Sequence, residues 1–176
     1  MLVLVVGPSG AGKDTLLNLA RTALAGEPRV HFVRRVITRP ADAGGEDHEA
    51  VTEATFAQRD HALQWTAHGL LYGIPAEIGA DLALGHVVVA NVSRGVIADA
   101  AARFPTRVVV ITAPPAVLAA RLAGRGRETA ADIAARLARD VALPAGVPAE
   151  TILNDGPPEA GAARLIALLR AWADQT

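Results

Sequence analysis

Short, wholly apolar runs recur along this chain and alternate with stretches where apolar residues return every third or fourth position. Leu2–Val6 is the first run, and residues 87–90, 108–112 and 151–153 repeat its character. Runs of this length, rich in Val and Ile and without polar alternation, predict strands covered on both faces. Between them, Leu16, Leu19, Ala20, Ala23 and Leu24 fall on one face of a helix. Further helices are expected at 75–84 (ended by Gly85), 96–103, 114–122 and 159–173, with an amphipathic stretch at 130–142. Residues 30–38 read as extended although they carry Arg34 and Arg35. Residues 52–56 can open a short helix, and 63–72, with His68-Gly69 at the centre, a hairpin. Strands and helices taken in turn predict an α/β fold with a parallel central sheet.

The junction of the first strand and first helix carries the clearest chemistry. Gly7, Pro8, Ser9, Gly10, Ala11, Gly12 and Lys13 fit the Gly-x-x-x-x-Gly-Lys phosphate loop, in the strand–loop–helix context that gives the pattern meaning. Glycines let successive N–H groups turn into one concavity, and the helix N-terminus adds partial positive charge. An ordinary glycine turn explains Gly7 but not Lys13, a cation at a helix start where the dipole opposes it unless an anion is present. After the lysine such loops normally carry a Ser or Thr for Mg2+; here Asp14 and then Thr15 follow. A carboxylate beside a triphosphate calls for a divalent cation between them, so Asp14 is the expected metal ligand.

Composition narrows the classes. The chain has 176 residues, 51% hydrophobic and 3% aromatic, enough for one domain with an Ala/Val/Leu core. A formal net charge of −1 argues against a general nucleic-acid binder. No cysteine is present, which excludes disulfides and thiolate metal sites. No apolar run reaches membrane-spanning length and Met1 leads straight into a strand, so a soluble, cytoplasmic protein is expected. Oligomeric state is not legible.

A second informative stretch is Arg121-Leu-Ala-Gly-Arg-Gly-Arg-Glu128 with Arg136 and Arg139 beyond it. Phosphoryl transfer needs fixed cations around the moving group, and glycine-flanked arginines between helices suit a lid. With the phosphate loop, these segments make the chain resemble the guanylate kinase group of nucleotide kinases over nearly its whole length. Thr38-Arg39-Pro40 looks like that group's acceptor-phosphate segment, Tyr72-Gly73 like its second phosphate contact, and Asn154-Asp155 like its adenine-side turn. The resemblance implies a P-loop nucleoside-monophosphate-kinase-like three-layer fold in one domain, 1–176, with an acceptor region near 35–75 and a helical lid near 121–139. It implies ATP and Mg2+, Arg125 and Arg136 on the transferring phosphoryl group, Arg121 and Asn154 near the nucleotide, and Arg39 and Tyr72 on the acceptor phosphate.

The departures sharpen this. Gln64 and Asn91 stand where guanylate kinases carry the carboxylates that read guanine, Arg35 replaces a small hydroxyl residue, and His48 replaces a tyrosine. This pattern is similar to the ribose 1,5-bisphosphate phosphokinases, which make 5-phosphoribosyl 1-diphosphate (PRPP) in phosphonate use. Arg35 and Arg94 are then cations for the acceptor's second phosphate. Guanylate kinase is the alternative activity, and a non-catalytic interaction module a third reading. His31, His61 and His86 have no partner in the sequence, while His48 and His68 border the acceptor segments. Glu46 and Asp47 read as loop acids without a duty. Trp65 and Trp172 are expected to pack.

Overall fold

Five parallel strands in the order β2-β7-β1-β8-β9 form the central sheet. The structure is a computed structural model in which residues 1–42, 46–123 and 142–175 are described. β1 (Leu2–Val6) lies in the middle, hydrogen-bonded to β7 (Val87–Asn91) and β8 (Thr106–Thr112); β2 (Val30–Phe32) and β9 (Ala149–Leu153) are the outer strands.

The lack of polar alternation in β1 now has its cause. Val3 and Val5 point to one face, into a core with Leu16, Leu17 and Ala20 of α1 (Lys13–Ala23) and Leu165, Leu169 and Trp172 of the last helix (Pro158–Ala173). Leu2, Leu4 and Val6 point to the other, against Ile97 and Ala100 of a helix at Ile97–Arg103. All five residues are buried.

A second sheet covers part of that other face, in the order β4-β3-β6-β5. β3 (Arg35–Ile37) and β4 (His48–Ala50) are parallel; β5 (His61–Ala67) and β6 (Leu70–Pro75) form the expected hairpin. Its turn is His68 (φ 52°) and Gly69 (φ 73°), both left-handed as a two-residue hairpin turn requires. The short helix at Glu53–Ala57 begins on Thr52, whose hydroxyl accepts from the Thr55 N–H at 3.1 Å.

Two expectations change. The extended stretch 30–38 divides between sheets: β2 pairs with β7, and β3 pairs with β4 and β6. A guanidinium has no place between the apolar layers of the central sheet, so the chain leaves it before Arg34 and Arg35. The helix expected at 75–84 is shorter, Ile78–Ala83, because β6 runs on to Pro75. Helices at Pro115–Ala123 and Pro158–Ala173 match the pattern. The amphipathic stretch at 130–142 lies almost wholly outside the described residues. Among the described residues no helix is long and apolar enough to cross a membrane.

Candidate active site

The phosphate loop joins the C-terminal end of β1 to α1. Gly7 sits so close to the Ile111 carbonyl that any side chain would collide with it, and Gly10 (φ 84°) and Gly12 (φ 86°) are left-handed. Gly12 caps α1 without a side chain, leaving the first-turn N–H groups to an anion. Lys13 Nζ donates to the carbonyls of Gly7 (2.7 Å) and Pro8 (3.1 Å), so the cation lies across the loop. From the helix at Pro115–Ala123, Arg121 Nη1 donates to the Gly10 carbonyl at 3.4 Å.

Asn154 follows β9 and is buried beneath the loop. Its Nδ2 donates to the Ala11 carbonyl at 2.8 Å, and its backbone N–H to Thr112 at 2.7 Å. The structure thus places this side chain under the loop, where it holds the loop's shape.

The other half of the site is the face of the small sheet that looks towards the central sheet. Period-two alternation and register put Arg35, Ile37, Tyr72 and Trp65 on this face. Trp65 and Tyr72 stack, with centroids 5.4 Å apart and planes 9° from parallel, and the Arg35 guanidinium stands 5.8 and 5.3 Å from the two rings. Glu46 binds Arg35 through both oxygens, one to Nε at 3.0 Å. Burial pushes the Arg35 pKa down to about 10, against the opposing pull of Asp14, so the group stays charged at neutral pH. Arg35 and Glu46 share a narrow crevice with Asp14 and Asn91.

Asp14 is exposed in the first turn of α1, and Asn91 Nδ2, from the end of β7, donates to its Oδ1 at 3.0 Å. A solvent-facing carboxylate beside the loop, steered by a neutral amide, has the hard oxygen donors that Mg2+ takes. The residues fit that ion.

Arg39 is held by its neighbour. His48 is buried, with Nε2 3.1 Å from the Arg39 carbonyl and Nδ1 3.2 Å from Arg39 Nη2. Nδ1 also lies 3.0 Å from the Glu46 carbonyl, so the ring sits between the backbones of Arg39 and Glu46 with the Arg39 guanidinium against it. The Thr38 hydroxyl accepts from the Leu71 N–H at 2.9 Å, tying this segment to β6.

Some assignments need correction. Gln64 pairs with Gly73, which pairs in turn with Val36, so it lies on the opposite face from Arg35 and Tyr72, and its neighbour Trp65 lies on the Arg35 face. The hairpin register decides this, and counting back from Tyr72 across the two-residue turn would have found it. Glu46 is the ion-pair partner of Arg35 rather than an idle loop acid. His31 and His86 share Asp81 as a partner. Arg94 lies in a short 3-10 turn after β7, at Arg94–Val96. Arg125 and Arg136 lie outside the described residues, as does most of the expected lid. A larger groove, about 1020 Å³, is lined by residues of β2, β7, the small sheet and the helix at Ile78–Ala83 and includes none of these phosphate-loop residues.

Comparison with known proteins supplies the lineage. The ribose 1,5-bisphosphate phosphokinase PhnN of Acidiphilium cryptum is 59% identical over 169 residues, covering 96% of this chain and 92% of the relative. Its counterpart in Methylobacterium radiotolerans is 56% identical, covering 97% of each. The chain belongs to the ribose 1,5-bisphosphate phosphokinase family. In Cupriavidus necator a family sequence, 52% identical to 94% of this chain, forms 28% of a bifunctional ribose 1,5-bisphosphokinase-thymidine phosphorylase. Residues 3–142 match the AAA domain model. The fold resembles guanylate kinase from Anaplasma phagocytophilum (TM-score 0.66, 18% identity, 97% of this chain and 85% of that one). The family is therefore a P-loop kinase fold whose phosphate loop, lysine and Arg35 face have been located above.

Proposed function

We propose that the protein transfers the γ-phosphoryl group of ATP to the 1-phosphate of ribose 1,5-bisphosphate, giving PRPP and ADP. Near-full-length identity to ribose 1,5-bisphosphate phosphokinases carries this reading. The acceptor face supports it. Arg35, paired with Glu46, lines it with a cation, and Asn91, at the position guanylate kinases give to a carboxylate, is neutral.

An oxygen of the 1-phosphate forms the new bond to the γ-phosphorus. The bond from that phosphorus to the β–γ bridging oxygen breaks, and its electrons leave on ADP. The attacking phosphate is already a nucleophile, so no general base is needed, and catalysis is positioning and charge cancellation. Lys13 and the loop N–H groups hold the nucleotide phosphates. Asp14 would hold Mg2+, which would offset phosphate charge. Arg39, packed against His48, binds the acceptor phosphate with Tyr72; Arg94 binds the second phosphate, and Arg35 joins it by exchanging Glu46 for the ligand. Arg125 and Arg136, in the lid we assign to 121–139, meet the charge that develops in transfer. Asn154 and Arg121 act on the nucleotide through the loop they support.

The test is an acceptor screen with ATP and Mg2+, followed by phosphorus NMR. PRPP is expected from the bisphosphate and little GDP from GMP. Efficient GDP formation with no turnover of the bisphosphate would restore the guanylate kinase alternative.

A further inference from the structure

We propose that His31, Asp81 and His86 form a second metal site, for a borderline transition ion such as Zn2+ or Co2+. It is separate from the phosphate-loop Mg2+ site and does not rest on the substrate assignment. His31 belongs to the edge strand β2, Asp81 to the helix at Ile78–Ala83, and His86 to the turn before β7. Their ligand atoms all lie within 4.8 Å of one another.

Hydrogen bonding shows why an ion suits this point. His31 Nε2 is 2.9 Å from the Pro28 carbonyl, which can only accept, so this nitrogen carries a proton. Nδ1 lies 2.8 Å from Asp81 Oδ1, a contact that needs a proton between the two atoms, and a cation can take that proton's place. His86 Nδ1 faces the same oxygen at 3.4 Å. Two imidazole nitrogens and one carboxylate oxygen therefore converge on one spot. A proton can bridge two of them; a cation serves all three.

The donor set also chooses the ion. Two imidazole nitrogens and one carboxylate oxygen suit Zn2+ and Co2+ far better than Mg2+ or Ca2+. Tetrahedral ligands about 2.0–2.1 Å from zinc stand roughly 3.4 Å apart. His86 Nδ1 and Asp81 Oδ1 already have that separation, His31 and Asp81 need about 0.6 Å more, and the two imidazoles at most about 1.4 Å less. The His31–Pro28 contact is the outer hydrogen bond that orients a metal-binding imidazole. All three side chains are partly exposed, which leaves an entry path and a fourth position for water. The bound ion would clamp β2, which pairs only with β7 in the sheet, to the connection that leads into β7.

The test uses the full chain with saturating Mg2+, so that oxygen-only sites are filled. Co2+ is titrated by visible absorption and Zn2+ by calorimetry. One equivalent should bind, and His31→Ala and His86→Ala should each weaken it by about tenfold or more, while Asp14→Ala leaves it unchanged. X-ray absorption of the zinc-loaded wild type needs no variant, and should show two imidazoles in the first shell. Absence of binding, an oxygen-only shell, or unaltered affinity in both histidine variants would overturn the site, leaving a proton-bridged trio.

Discussion

Gly12→Ala should damage this protein far more than its single added methyl suggests. Gly12 has φ 86°, and a methyl there would stand 2.5 Å from Asn154 Nδ2. Two costs add. Holding an alanine in the left-handed region costs about 1–2 kcal/mol. Moving Asn154 aside breaks its 2.8 Å bond to the Ala11 carbonyl, leaving a buried acceptor unpaired, about 1–3 kcal/mol more. A total of about 2–5 kcal/mol is a large part of ordinary domain stability and lowers the melting temperature by roughly 5–15 °C at this chain length. The natural control is Gly79→Ala. Gly79 lies exposed in a helix, has no neighbour within 4 Å of an added methyl, and should gain about 0.5–1 kcal/mol. Thermal melts of both variants, with ATP titrations, make the comparison. Gly12→Ala should also raise the Michaelis constant for ATP, because the displaced amide supports the loop. A Gly12→Ala protein that melts with the wild type and binds ATP normally would refute the reasoning.

Lys13→Ala should abolish most turnover with the fold intact, as judged by circular dichroism; near-normal activity in folded protein would end the phosphate-loop assignment. Asp14→Ser should retain some activity but raise the Mg2+ concentration for half-maximal rate, and Asn91→Ala should shift it in the same direction by less, since it only steers the carboxylate. An unaltered Mg2+ dependence for Asp14→Ser would reduce the residue to a helix-dipole role. Arg125→Ala and Arg136→Ala should lower the maximal rate much more than ATP affinity, measured by steady-state kinetics and calorimetry; losses confined to the Michaelis constant would make them ground-state binders.

The sequence alone determined whatever depends on neighbours along the chain. Leu2–Val6, the glycines that follow and Lys13 declare a buried strand and a phosphate loop because the physics is local: apolar runs, backbone freedom at glycine, a cation at a helix start. The same holds for the His68-Gly69 turn and for Thr52 as a helix cap. Tertiary structure decided what depends on register and on distant partners. Gln64 and Trp65 are adjacent, yet one residue of hairpin register sends them to opposite faces, and only the pairing with Tyr72 says which meets Arg35. Arg34 and Arg35 sit in a run that looks continuous, and the exit from the central sheet between Phe32 and Arg35 appears only when the strands find their neighbours. Asn154 is 143 residues from Ala11, and His31 is 50 from Asp81, so the loop prop and the histidine pair exist only once the chain has closed on itself.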